Sequence, residues 1–145
     1  MVPQPKTVIA IIPISKTTGA TATGELIDTK GADYVVIGII ASTADVVSNT
    51  LSVLKIEEGD TTSSVATFAG AVSGTDYTIA TNAYTSTTNQ NVWSFNVDTR
   101  VRKRYLRVSA SPQTTMVIGG VAMLHRGEKG PSTAAEAGAL NAIYV

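Results

Sequence analysis

One segment of the chain alternates between apolar and polar residues as strictly as a half-buried β-strand requires. The segment is Asn91–Asp98. Because successive side chains of a strand point to opposite faces of a sheet, its two sets of residues should lie on opposite faces. We expect the apolar set to face a core, and its members are Trp93, Phe95 and Val97. We expect the polar set to face outward, and its members are Ser94, Asn96 and Asp98.

Other short runs along the chain share this β character. They are rich in Val, Ile and Thr, whose branched β-carbons suit a pleated sheet, and residues typical of turns separate them. Asp33–Ser42 and Thr114–His125 are apolar on both faces, a pattern that favours strands inside a sandwich. The sequence therefore predicts an all-β fold, an antiparallel β-sandwich or jelly roll of about eight strands. The other predicted strands are Lys6–Ser15, Thr50–Glu58, Val65–Val72, Asp76–Ala80 and Lys103–Ala110.

The 145 residues suffice for one domain with a sizeable core. We predict that residues 16–126 form the sandwich, residues 1–15 an extended N-terminal arm or edge strand, and residues 127–145 a C-terminal tail. Pro13 cannot donate a ladder hydrogen bond, so an edge or a detached position suits the first segment. We expect both ends to make contacts between subunits. Deletion of residues 1–14 should then weaken assembly and leave the sandwich folded.

Composition and pattern argue against several classes of function. The chain has no cysteine, so it forms neither a disulfide nor a thiolate metal site. His125 is the one histidine, and no nucleophile motif accompanies it, so we expect it at a strand end on the surface or at a subunit contact. We predict a non-enzymatic protein without cofactor or metal. The start of the chain does not resemble a signal peptide and no run is long and apolar enough for a membrane helix, so we expect a soluble protein.

Glu57, Glu58 and Asp60 offer oxygen ligands of the kind that calcium prefers. Their spacing does not match an EF-hand loop, however. We therefore interpret Glu57–Thr62 as a solvated acidic turn.

Charge is unevenly distributed, although the formal net charge is zero. Residues 1–99 hold nine acidic and four basic side chains, whereas residues 100–145 hold seven basic and two acidic ones. Five of these basic residues form a cluster between positions 100 and 107. The cluster either pairs with acids of its own chain, such as Asp98 and the Glu57–Asp60 turn, or contacts an acidic surface of another subunit. A nucleic acid is a poor candidate for the partner of this cluster, because Tyr105 is the one aromatic residue among the basic residues and the net charge of the chain is zero. The cluster comprises Arg100, Arg102, Lys103, Arg104 and Arg107.

Three segments resemble a group of small virion proteins of tailed bacteriophages. They are Ala32–Gly38, Leu51–Asp60 and Val97–Leu106, and the stretch Arg-Lys-Arg-Tyr-Leu at 102–106 is the most specific part. The likeness covers roughly residues 30–135. The proteins that these residues resemble are the head decoration proteins, also called cement proteins, which lie on the outside of icosahedral capsids. It implies a jelly-roll-like subunit that clusters around symmetry axes and bridges major capsid proteins.

The residues and the resemblance together predict a cement protein on the outer surface of a phage capsid, made in the cytoplasm of the bacterial host. Its partners would be the major capsid protein and further copies of itself, as a homotrimer, with no direct contact to nucleic acid or membrane. Besides the basic cluster, the residues predicted to contact partners are Ile9, Ile11, Ile12, Leu140, Ile143 and Tyr144.

A second interpretation is a carbohydrate- or receptor-binding β-sandwich module of a phage tail or fibre. Such modules display exposed aromatic side chains, for which Tyr77, Tyr84 and Trp93 are the candidates, but the alternation of β-strand residues predicts that Trp93 is buried. A hydrolase is a third interpretation and would require turnover that the substitution His125→Ala abolishes.

Overall fold

The computed structural model describes residues 5–42, 51–67, 91–126 and 141–144, which form two β-sheets around a shared core. The prediction of an all-β antiparallel sandwich is confirmed. The first sheet comprises β1 (Lys6–Lys16), β4 (Tyr34–Ala41), β7 (Asn91–Asp98), β9 (Met116–His125) and β10 (Asn141–Tyr144). The second sheet comprises β2 (Ala22–Thr23), β3 (Ile27–Asp28), β5 (Leu51–Thr61), β6 (Ser64–Thr67) and β8 (Tyr105–Pro112).

The strand pairs are nested along the chain. The first sheet has the order β1-β9-β4-β7-β10, in which only β10 runs parallel to its neighbour, β7. The second sheet has the order β2-β8-β5-β6, and β3 also pairs with β8. Thus β1 pairs with β9, β2 and β3 with β8, β4 with β7, and β5 with β6. These pairs form one long hairpin, with the β5–β6 turn at its tip, that is folded over into two sheets.

One apolar core lies between the sheets. From the first sheet, Trp93, Phe95 and Val97 of β7 are all at most 2% exposed, as the alternation predicts. Each such side chain stabilises the fold by about 1.5–3 kcal/mol on burial. The second sheet contributes the alternate residues of its two long strands, which are Leu54, Ile56, Leu106 and Val108.

Two polar residues of β7 face away from the core, as predicted, but are not exposed to solvent. Ser94 and Asn96 are each 3% exposed, and Asn96 Oδ1 accepts a hydrogen bond from the Tyr34 hydroxyl at 2.5 Å. Both lie on the side of β7 opposite the core, so the alternation gives their direction correctly. It says nothing about what covers them on an inner strand that β4 and β10 flank.

The predicted acidic turn is instead part of a strand. β5 continues through Thr61, and the turn follows at Thr62 and Ser63. Glu57 and Glu58 pair with Arg107 and Leu106 of β8, so the ladder extends past them. Attraction between a carboxylate and a guanidinium on facing strands stabilises this extension, which hydrophobic alternation alone does not reveal.

The N-terminal segment is an edge strand, because β1 pairs with β9 from Lys6 to Lys16. A break in the register near Ile11 puts both Ala10 and Ile11 into the core, where each is at most 1% exposed. At the other end, β10 lies within the segment predicted as a tail. The division into arm, sandwich and tail stays a prediction, and Asp76–Ala80 and residues 68–72 lie outside the described residues.

Candidate functional site

The predicted basic cluster lies where the chain crosses from the first sheet to the second. A 3-10 helix, Thr99–Val101, follows β7 there. Two hydrogen bonds hold it against the first sheet: Thr99 Oγ1 donates to the Ala32 carbonyl at 2.6 Å, and the Thr99 N–H donates to the Asp33 carbonyl at 3.1 Å. These bonds attach the start of the crossing to the first sheet. Arg100, Arg102, Lys103 and Arg104 project from the crossing, and Arg107 lies in β8.

Each of the five basic side chains pairs with an acid of the same chain. We call these residues and their partners the charged corner. Its ion pairs are Arg100–Asp98, Arg102–Glu58, Lys103–Asp60, Arg104–Asp28 and Arg107–Glu57.

Arg107 and Glu57 face each other across β8 and β5. Arg107 Nε donates to Glu57 Oε2 at 2.9 Å, and Nη2 lies 2.8 Å from the same oxygen. The Ser109 hydroxyl donates to that oxygen at 3.2 Å, and Lys55 Nζ lies 3.6 Å from Oε1. The carboxylate is thus surrounded by donors on one face of the second sheet.

Arg102 and Glu58 form the most buried ion pair of the charged corner. Their side chains are 15% and 10% exposed, and Arg102 Nη1 lies 3.7 Å from Glu58 Oε1. The Lys103 N–H donates to Glu58 Oε2 at 3.1 Å, so a backbone donor also serves this carboxylate. A buried carboxylate with a cationic partner and a backbone donor is costly to disturb, because removing either leaves a charge without compensation.

Asp28 and Arg104 form a two-pronged pair near the start of β8. Arg104 Nε and Nη2 donate to the two carboxylate oxygens at 2.9 and 2.7 Å. The hydrogen bond from Arg104, with a second from the Lys30 N–H, holds the pKa of Asp28 far below its ordinary range. The Arg104 guanidinium also lies 4.9 Å from the centre of the Tyr105 ring, within range of a cation–π contact.

Asp98 caps the 3-10 helix and pairs with Arg100. Its Oδ1 accepts from the Arg100 N–H at 3.1 Å and from Arg100 Nε at 2.8 Å. These side-chain and backbone hydrogen bonds lower the pKa of Asp98 to about 2. They raise the pKa of Arg100 in turn.

Of the two interpretations of the basic cluster, pairing within the chain is the one that the geometry realises. Own-chain pairing does not exclude an additional contact, since Lys103 is 51% exposed and Arg104 is 46% exposed. Contact with a partner protein stays a prediction for these residues.

His125 lies at the end of β9 beside an aromatic ring. It is half-buried, and its ring centre is 6.0 Å from that of Tyr34. Within the described ranges, no group of three or more histidine or acidic residues has the geometry to hold a metal ion. Trp93, a candidate for stacking on a sugar, is 2% exposed, whereas Tyr77 and Tyr84 lie outside the described residues.

The predicted apolar contact residues are separated by the fold. Ile9 and Ile12 are 55% and 56% exposed, whereas Ile11 is buried in the core and does not offer its side chain to a partner. Ile143 and Tyr144 belong to β10, whose backbone pairs with β7. Leu140 lies outside the described residues.

A second surface, not predicted as a site, lies on the first sheet. Of the eight exposed large apolar residues in the described part, seven lie on β1, β4 and β9. The strands β4 and β9 are apolar on both faces, and this pattern was the signal for such a surface. We call the side of β1, β9 and β4 away from the core the outer face; its main residues are Ile9, Ile40, Val117, Val121 and Met123.

The outer face contains an apolar groove of about 480 Å³. Two glycines on adjacent strands of the outer face differ in what lies above them, and only the first, Gly119, lines the groove. Gly119 lies beneath the ring of Pro13, whose Cγ would be 3.2 Å from a Cβ at Gly119. Gly38, on the neighbouring strand, has open space above it, since a Cβ there would meet nothing within 4 Å. Residues that line the groove include Ile9, Pro13, Ile40, Val117, Gly119 and Val121.

No family model, curated protein or solved structure matches this chain. Among the residues that the structure describes, no helix is long and apolar enough to cross a membrane.

Proposed function

We propose that this chain is a non-enzymatic cement protein that binds the outside of a bacteriophage capsid and stabilises contacts between major capsid proteins. The resemblance of residues 30–135 to decoration proteins carries the proposal. The nested strand pairing supports it, because β1-β9-β4-β7 opposite β2-β8-β5-β6 is the order expected when a hairpin rolls into a jelly roll. We accordingly interpret the sandwich as a jelly roll.

The physical basis of this function is selective binding to one state of the capsid. A protein that binds only the expanded shell stabilises that state by mass action. Many weak contacts arranged by symmetry then add through effective concentration, so none needs to be strong alone. A homotrimer on the capsid surface would supply such repeated contacts. The three most exposed cations of the charged corner, Arg100, Lys103 and Arg104, would contact an acidic surface of the major capsid protein in addition to their own acidic partners.

The test is cosedimentation of the purified protein with expanded phage heads that lack decoration. We expect saturable binding to expanded heads and none to unexpanded ones. Lys103→Glu should weaken binding more at low salt than at high salt, because exposed charges are screened. Lys16→Glu, at the far end of β1, is the matched control and should bind as the wild type does. Absence of binding to expanded heads would overturn the proposal, and salt-independent binding would remove the corner from the contact.

The alternative, a carbohydrate- or receptor-binding module, loses one of its three candidate aromatic residues, because the Trp93 ring is packed in the core. A specific hit on a glycan array that Tyr77→Ala or Tyr84→Ala abolishes, together with no binding to heads, would favour this alternative.

A further inference from the structure

We propose that the outer face is the surface through which copies of this chain associate with one another, and that the apolar side chains of a second copy occupy its groove. This inference goes beyond capsid binding, since association through the outer face requires no capsid.

The first observation is the concentration of exposed apolar residues. Single exposed apolar side chains are common on soluble proteins, but a contiguous patch indicates an interaction surface. Ile9, Val117 and Val121 are 55%, 49% and 43% exposed, and Ile40 and Met123 are 46% and 36% exposed. The register makes them neighbours: Val121 pairs with Ile9 on one side and lies beside β4 on the other.

The second observation concerns charge. Asp98 of the charged corner ends β7 in the first sheet, and the other ion-paired residues lie in the second sheet or in the segment after β7, whereas Ile9, Ile40, Val117, Val121 and Met123 of the outer face are all uncharged. When two copies of the chain meet through an uncharged face, the contact lacks the like-charge repulsion that disfavours many self-contacts. The formal net charge of zero acts in the same direction.

The third observation concerns shape. The outer face has raised side chains, such as Ile9 and Ile40, a groove of about 480 Å³ that they line, and open space above Gly38. Side chains of one copy can therefore enter the groove of another, and no foreign surface is needed to fill it. A small apolar ligand fits less well, because ligand sites usually include polar groups that fix orientation. Ser42 is the polar side chain that lines the groove, and its Oγ already accepts from the Val117 N–H at 3.1 Å.

The edge of β1 that does not pair with β9 is a poorer candidate for the same contact. Two breaks in its register with β9 and the missing N–H of Pro13 make it irregular. Irregular edges and proline oppose the addition of another strand. The broad surface of the sheet, rather than its edge, is therefore where copies should pack, as sheets do in a face-to-face contact.

The experiment measures the mass of the full chain by sedimentation at concentrations from roughly 1 µM to 1 mM, a range that covers weak and moderate association. We expect the wild type to form a defined oligomer. Val121→Lys places an ammonium in the contact and should raise the dissociation constant at least about tenfold, since burying a charge without a partner is costly. Val101→Lys is the matched control: the same exchange at a residue that is 76% exposed and lies on the 3-10 helix, outside the outer face. It should associate as the wild type does.

Gly38→Val tests shape without adding charge. Its side chain enters open space and suits a strand, so the monomer should remain folded while the filled surface associates at least about tenfold more weakly. Association that survives both Val121→Lys and Gly38→Val would overturn the proposal. So would a wild type that stays monomeric throughout.

Other occupants give distinct results in the same experiment. If the chain is monomeric and native mass spectrometry finds a bound apolar molecule, the groove is a ligand site and the proposal fails. If it is monomeric and Val121→Lys lowers the melting temperature far more than Val101→Lys, the chain covers its own outer face, which also refutes the proposal. Binding to phage heads is measured separately, so failure here leaves the proposed capsid function to its own test.

Discussion

Glu57 and Arg107 face each other across β5 and β8, and one carboxylate oxygen of Glu57 lies within 2.9 Å of two guanidinium nitrogens. Neither residue belongs to the hydrophobic pattern that defines the strands. Their attraction nevertheless fixes the pairing of β5 with β8 at the point where the apolar residues of β5 end. An ion pair here has a structural role, because it extends the ladder and sets its register.

A double-mutant cycle with Glu57→Gln and Arg107→Met should therefore give a coupling free energy of about 1 kcal/mol. This value is at the upper end of the range of coupling free energies for partly exposed ion pairs. Urea-induced unfolding of the four variants measures it. The more exposed pair Lys103–Asp60, with side chains 51% and 73% exposed, is the comparison. Its coupling should be about 0.3 kcal/mol or less. Equal coupling free energies in the two cycles would show that the position of Glu57 in the ladder does not strengthen its ion pair.

Stability should fall in acid, because two carboxylates of the charged corner have lowered pKa values. The pKa of Asp98 falls from 3.8 to about 2, mainly through the hydrogen bond from the Arg100 side chain, and that of Asp28 falls further through Arg104. A lowered pKa in the folded state gives stability above the ordinary pKa that is lost as pH falls toward the folded value.

The free energy of unfolding should therefore decrease as pH is lowered through 3.8 toward 2. Both carboxylates are well exposed, so added salt should reduce the effect. Urea unfolding across this pH range is the measurement. Asp28→Asn should make the pH dependence shallower, whereas a slope identical to that of the wild type would mean that other carboxylates cause the acid sensitivity.

Two glycines in different settings should respond in opposite ways to alanine. A Cβ at Gly24 would collide with the backbone oxygen of Ala10 and lie 2.6 Å from that of Val108. Gly24 also donates its N–H to the Val108 carbonyl at 2.7 Å, so the chain cannot shift easily. Gly24→Ala should therefore destabilise the fold, by about 2 kcal/mol if the cost resembles that of other overpacked sites.

Gly38→Ala is the matched exchange and should raise the free energy of unfolding by about 0.5–1 kcal/mol. Its Cβ meets open space, and alanine loses less conformational freedom than glycine on folding. Thermal unfolding of both variants checks the pair. A lower melting temperature for Gly38→Ala would indicate that another part of the chain lies over Gly38.

The sequence predicts the core and the fold class well because both follow from period-two alternation. Trp93, Phe95 and Val97 are buried as their pattern requires. The pattern carries no information on what covers an outward-facing residue, so it does not predict that Ser94 and Asn96 are shielded from solvent. The pattern also cannot distinguish a strand whose two apolar faces are both buried from a strand that buries one apolar face and exposes the other. Strand β9 is of the second kind, because Val117 and Val121 are exposed.

The candidate site is predictable in its members but less so in its connections. The basic residues at 100–107 stand out in the sequence, and Asp98 is close enough in the chain to be recognised as a partner. Asp28, however, is paired with Arg104 across 76 positions of the sequence, and only the pairing of β3 with β8 brings them together. Long-range partners of this kind depend on topology, which short-range patterns do not specify.

Deletion of residues 1–14 should unfold the sandwich, contrary to the expectation from sequence that this segment is a dispensable arm. The deletion removes most of the residues through which β1 pairs with β9, and it takes Ala10 and Ile11 out of the core. Loss of a buried isoleucine side chain alone typically costs about 2–5 kcal/mol, against a total stability of about 5–15 kcal/mol for a domain.

Adjacent residues of β1 provide the control for this deletion. Ile11→Ala should lower the free energy of unfolding by about 2–4 kcal/mol, whereas Ile12→Ala, at a side chain 56% exposed, should change it by less than about 0.5 kcal/mol. Circular dichroism and urea unfolding distinguish these outcomes. A deletion variant with wild-type spectrum and melting temperature but altered oligomer mass would restore the arm interpretation. Ile12 is also exposed beside the outer face. Because Ile12→Ala should hardly change the free energy of unfolding, any change in oligomer mass that it causes reports on association and not on folding.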